Sequence, residues 1–95
     1  MKFTKKEYDK LVTDEVGKFG RIEHKRSLRR DLHALLFLDL LFKTDERMIC
    51  CIEGERVYLG ITEKEVNRLT VAEVTELIRC GVLVYWSNDS LFMFR

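Results

Sequence analysis

With only two histidines, three cysteines and no proline in 95 residues, this chain is short of the groups that several kinds of chemistry need. Cys50, Cys51 and Cys80 show no C-x-x-C spacing, and four metal ligands at workable intervals are not found even when His24 and His33 are counted. Adjacent cysteines in a strand point to opposite faces, so Cys50 and Cys51 should not serve one site. All three read as reduced thiols packed as small hydrophobic groups, which fits a cytoplasmic protein. Neither a metal nor a cofactor is expected.

Catalytic groups are as scarce. His33 falls inside an apolar helical segment and reads as a core residue, while His24 joins a run of basic side chains. A nucleophilic pair of Cys80 with a histidine has no support from spacing. Glu63, Glu65, Glu73 and Glu76 read as helix caps and solvated faces rather than an acid–base pair. Gly17 and Gly20 alone do not make a phosphate loop. The expectation is a protein that is not an enzyme.

Long apolar runs are also missing. The strongest, residues 32–42 (LHALLFLDLLF), is far below the roughly 18–20 residues of a membrane span, contains Asp39 and follows Arg29 and Arg30. The first ten residues are charged and amphipathic and do not read as a secretory leader. No membrane association is expected.

What is present is an ordinary globular composition, 46% apolar and 35% charged, long enough for one α+β domain over residues 1–95. Nine of the eleven residues in 32–42 are apolar, and a helix apolar nearly all round must be covered on most faces. It is expected to run from a Ser27 cap to about Lys43 at the centre of the fold. Leu36 should then lie in the core, where an aspartate would unfold the domain.

The cover is legible around it. Thr4 and Glu7 form a T-x-x-E capping box, with Phe3 and Tyr8 as its hydrophobic staple. Tyr8, Leu11, Val12 and Val16 then form one stripe. Residues 48–52 and 56–59 flank Glu53 and Gly54 as a hairpin. Thr62 with Glu65, and Thr70 with Glu73, repeat the capping box, which predicts a short helix over 62–69 and another to Cys80, closed by Gly81, with one bent helix across 62–80 as the alternative. Residues 82–86 and 91–95 flank a turn at 87–90 as a second hairpin. Val82, Val84 and Trp86 share one face, and Leu83 and Tyr85 the other. One face should meet the core, and the other is covered by the N-terminal helix or left as a surface.

This order resembles that of winged helix-turn-helix domains, a likeness that implies a recognition helix at 70–80 and a wing tip at 87–90. The chemistry of those parts argues against reading DNA. The helix carries Glu73 and Glu76 with Arg79 as its only basic residue, and the tip carries Asp89. The hairpin at 48–59 also exceeds the pattern.

Charge supplies the clearest functional signal. Residues 1–30 hold ten Lys or Arg against five Asp or Glu, whereas residues 31–95 hold seven against eleven. Lys18, Arg21, His24, Lys25, Arg26, Arg29 and Arg30 fall within thirteen residues, opposed only by Glu23. Such a run reads as a merely solvated face, or suits an acidic protein surface, or phosphates with Phe19 available for stacking. Arg29 and Arg30 also sit at the end of a helix where its dipole disfavours cations. Tyr85, Trp86, Phe92 and Phe94, with Met93, belong to the core or, where exposed, to a protein interface or dimer seam.

The expected function is non-enzymatic: a small cytoplasmic adaptor or inhibitor docking on a protein or nucleoprotein partner through the basic segment and the aromatic hairpin. The alternative is a winged-helix-like nucleic-acid binder gripping phosphates with residues 18–30. A homodimer is compatible with either. Small, proline-free, charge-asymmetric chains of this kind resemble the accessory proteins of phages and mobile elements, including inhibitors of host machinery.

Overall fold

Capping boxes start two of the described helices, and alternating burial marks the strand over residues 82–85. A computed structural model describes residues 4–42, 47–61, 63–85 and 90–94. In chain order these form α1 (Lys5–Glu15), a 3-10 turn (Phe19–Arg21), α2 (Arg30–Leu41), β1 (Ile49–Glu53), β2 (Arg56–Leu59), α3 (Glu63–Val66), α4 (Val71–Arg79), β3 (Val82–Tyr85) and β4 (Ser90–Phe94). The fold is α+β.

Both described capping boxes close as expected. The Glu7 backbone N–H donates to Thr4 Oγ1 at 3.2 Å, and the Thr4 N–H donates to Glu7 Oε1 at 2.9 Å. Thr70 and Glu73 repeat this at 3.2 and 2.8 Å. Each such cap is worth about 1 kcal/mol because it satisfies N–H groups the helix cannot. Phe3 of the first staple and Thr62 of the middle cap lie outside the described residues. Gly81 ends α4 at φ +90°, a conformation that disfavours any side chain.

The two hairpins merge into one antiparallel sheet of order β1-β2-β4-β3. Val82 pairs with Met93 and Val84 with Leu91 on the face towards the helices, while Leu83 pairs with Phe92 on the other. On its second edge β4 pairs with β2, placing Tyr58 opposite Phe92 and Val57 opposite Met93. The winged-helix order is not confirmed: β4 of the second hairpin is an inner strand paired with β2 as well as β3, while β3 is an edge. Pairing on both edges satisfies the backbone N–H and C=O groups of β4, whose Leu91, Phe92 and Met93 are buried. Trp86 and most of the expected tip (residues 87–89) lie outside the described residues.

Helix α4 occupies the middle of the molecule. Val74, Leu77 and Ile78 are buried along one stripe, and α1, β3 and the 3-10 turn flank it. They join Tyr8, Ile22, Ala34, Leu38, Leu59, Ile61, Val66, Leu69, Val82, Val84, Leu91 and Met93 in one core.

The apolar helix expected at the centre lies to one side. Helix α2 buries His33, Ala34, Phe37 and Leu38, but Leu32, Leu36 and Leu40 remain 43, 40 and 47% exposed. Its N-cap is Arg29 rather than Ser27, whose Oγ instead accepts from the Arg29 N–H at 3.1 Å. Lys43, the expected end, lies outside the described residues. The expectation that Leu36 is a core residue is thus corrected: a sheet and three other short helices supply only enough surface to cover one side of α2.

Long-range ties fix α1 and the crossing at the end of β2. Tyr8 Oη accepts from the Val84 N–H at 2.8 Å, joining α1 to β3 in the core. The Gly60 N–H donates to the Met48 carbonyl at 2.6 Å, and a Cβ at Gly60 would collide with the carbonyl oxygen of Arg47. Gly60→Ala should therefore displace the chain entering β1.

Tyr8→Phe should cost about 1–3 kcal/mol, since it orphans a buried backbone N–H, as measured by urea unfolding. Burial raises the Tyr8 phenol from 10.0 to about 12. Its contribution to stability is complete below pH 10 and is lost as pH rises towards about 12. The Phe variant should lack that alkaline decline.

Candidate interaction surface

The basic run is not a free tail, because buried His33 organises its backbone. The Arg26 N–H donates to His33 Nδ1 at 3.1 Å. With Nδ1 accepting, the ring proton of the neutral imidazole is on Nε2. That atom lies 3.4 Å from Glu76 Oε2 but lacks hydrogen-bond alignment with it. Phe19 meets the imidazole edge-on at 5.7 Å and Phe37 stacks on it at 6.1 Å. His33 is thus a core histidine that pins segment and helix together.

The individual cations have different fates. Arg21 Nη1 sits 3.6 Å from Glu15 Oε1, and Arg79 Nε donates to Glu15 Oε2 at 2.6 Å. The Arg79 hydrogen bond, with the charges of Arg79, Arg21 and Lys18, holds the Glu15 carboxyl below its ordinary value. Lys25 folds back, donating from Nζ to the Ile22 carbonyl at 2.9 Å with the ammonium 5.3 Å from the Phe19 ring centre. Phe19, expected as a stacking platform, is instead packed against the core. His24, Arg26 and Arg29 are exposed, and their side chains make no ion pair or hydrogen bond with the described residues. Arg30, the first residue of α2, lays its side chain across Gly81.

The sheet face turned away from the core is aromatic. Phe92 is buried there, outside the core cluster, with ring centres of Tyr58 and Tyr85 at 6.2 Å and of Phe94 at 5.5 Å. The Arg56 guanidinium lies 5.0 Å from the Phe92 centre and 5.7 Å from that of Tyr85. No described helix contributes to this cluster. The N-terminal helix is not its cover, since Tyr8 faces the opposite side. Phe94, at the end of β4, is 55% exposed.

The two expected surfaces meet at one corner. Arg30, Asp31, Met93 and Phe94 line both of two adjoining recesses, of about 140 and 350 Å³. The smaller extends to Val16 and Leu83, and the larger to Leu35, Ile49 and Val57 between α2 and the sheet. Of the expected site residues, Arg30 and Phe94 line the same recesses, Phe92 and Tyr85 lie along the same sheet, and Lys18, His24 and Arg21 line neither recess. Tyr58 and Arg56, which complete the aromatic face, were hidden in a hairpin read only as cover. Their alternation with Val57 and Leu59 was the available signal.

The cysteine reading also needs correction. Only Cys80 is buried, whereas Cys50 and Cys51 are exposed. An irregularity in the β1–β2 register between Ile49 and Cys51 breaks the alternation, and both residues line one shallow recess with Tyr58. A bulge removes the opposite-face rule that a regular strand imposes. Local desolvation by its neighbours, then the charges of Cys50 and Glu53, pushes the exposed Cys51 thiol up. Burial, then Glu76, pushes Cys80 up to about 12.

Among the described residues there is no cluster of metal-binding groups and no helix long and apolar enough to cross a membrane. Comparison with family models, curated proteins and solved structures finds no match.

In native protein at mild pH, a thiol reagent should modify Cys50 and Cys51 and reach Cys80 only on unfolding, as peptide mass mapping would reveal. Replacing Glu15 with Gln should flatten the acid limb of stability. The ion-paired carboxylate stabilises above its unfolded value, near 4.5, and that contribution is lost as pH falls further. Thermal melts of both proteins between neutral and acid pH would test this.

Proposed function

We propose that this chain is a non-enzymatic, cytoplasmic binding protein, an adaptor or inhibitor that docks on a protein or nucleoprotein partner across the corner where Arg30 meets Phe94. The observation that carries this reading is the sharing of both recesses by those two residues. An exposed aromatic beside an apolar recess suits an inserted side chain, and an adjacent guanidinium suits a carboxylate next to it. The aromatic sheet behind Phe94 is rigid, because Phe92 is clamped by rings on three sides and by Arg56. A rigid anchor loses little entropy on binding.

Nucleic-acid binding is the second reading, supported by the unpartnered side chains of His24, Arg26 and Arg29. It relies on phosphate contacts from residues 18–30 rather than on α4. The two readings differ in salt dependence, since several phosphate contacts weaken steeply with salt and an apolar interface does so much less.

The test is recovery of partners by the tagged protein with and without nuclease at two salt concentrations. A nuclease-resistant partner should be retained at moderate salt and reduced at least several-fold by Phe94→Ala and by Arg30→Glu, with circular dichroism unchanged. Material lost on nuclease treatment and abolished by Arg29→Glu with Arg30→Glu would transfer support to the nucleic-acid reading. Recovery indifferent to all these changes would remove both surfaces from the account.

A further inference from the structure

Cys50 and Cys51 belong to neither surface described above. Ile49 pairs with Leu59 and Cys51 with Tyr58, so Cys50 is an additional residue of β1 with no counterpart in β2. A regular strand would send the two side chains to opposite faces. The bulge lifts that rule, and both cysteines line one recess of about 430 Å³ together with Tyr58, Leu59 and Ile61. The Cys50 thiol acts on that of Cys51 through charge and through a side-chain hydrogen bond, so the two sulfurs are neighbours. Both residues are exposed, and β1 is an edge strand of the sheet. Cys80 stands apart, buried and donating from Sγ to the Leu77 carbonyl at 3.3 Å.

We infer that Cys50 and Cys51 form a dithiol site that captures a trivalent arsenical carrying one organic substituent. The arsenic bridges both sulfurs, and the substituent lies against Tyr58, Leu59 and Ile61. Thiol sulfur is a soft donor and selects a soft centre. Two sulfurs and one substituent complete the three bonds of trivalent arsenic, whereas a structural zinc needs four ligands. Among the described residues, no cluster of three metal-binding groups includes the pair. The chemistry also suits thiols that keep their protons. Desolvation and neighbouring charge push Cys51 up, so a metal cation would first have to displace its proton. An arsenical oxide removes the protons itself. Two As–S bonds form, the As=O bond and both S–H bonds break, and the oxygen departs with the two protons as one water. No atom changes oxidation state. The second As–S bond closes within one chain, so the chelate outlasts an adduct of a single thiol.

Intact-mass spectrometry of the native, reduced chain treated with phenylarsine oxide tests the site, with circular dichroism as the control for folding. One reagent should add per chain with loss of one water, and peptide mapping should place it on residues 50–51. The adduct should survive excess monothiol and be removed by a small dithiol. Cys50→Ser and Cys51→Ser should each remain folded and lower retention against monothiol by about a hundredfold. The phenyl reagent should be retained several-fold better than its methyl counterpart, because the recess takes up apolar surface. Equal retention by either single variant, arsenic mapped to Cys80, or no adduct that outlasts monothiol would overturn the proposal. Equal retention of the phenyl and methyl reagents would overturn the part assigned to the recess.

Discussion

The burial of one side of α4 against the sheet and α1 is the constraint on which the rest of the molecule depends. Val74, Leu77 and Ile78 occupy the space that β3, β4 and α1 leave between them. A chain this short has surface for one such core. Everything else takes a position according to whether it can reach that core. Tyr8 does so and carries α1 with it, through its hydrogen bond to the backbone of Val84. Helix α2 reaches it only along one side.

This limited supply of cover explains how the surface is distributed. A four-stranded sheet with helices on one side leaves its other side open. Here that side is filled by Tyr58, Tyr85, Phe92 and Phe94, packed largely on one another. A helix apolar nearly all round, docked by one side, leaves leucines in water. Exposed apolar surface at both places is the feature on which the proposed binding function rests. The basic segment contributes less than its composition promised. Arg21 is engaged by Glu15, Lys25 covers Phe19, and the backbone of Arg26 is tied to His33.

The local parts of this account were legible in the chain. Thr4–Glu7 and Thr70–Glu73 announced their helices because a capping box is made within four residues. Val82 and Val84 against Leu83 and Tyr85 announced two faces because strand side chains alternate. His33 read as a core residue, and it is one. Other readings failed where a local rule was interrupted or where neighbours decided the outcome. The bulge beside Cys51 defeated alternation, and Phe19 packs half-buried against the core rather than standing free for stacking.

By itself the sequence determined the class of fold, the helix starts, the strand faces and the placement of charge in the first thirty residues. Each of these depends on hydrogen bonds or side-chain periodicity within a few positions of the chain. Tertiary structure alone decided that β4 pairs with β2, that α4 and not α2 is central, that Leu32, Leu36 and Leu40 are exposed, and that Arg30 and Phe94 line the same recesses. These are outcomes of competition for a single small core between segments far apart in the chain. Apolar content states how much a segment gains from burial, but only the packed whole decides which side is buried.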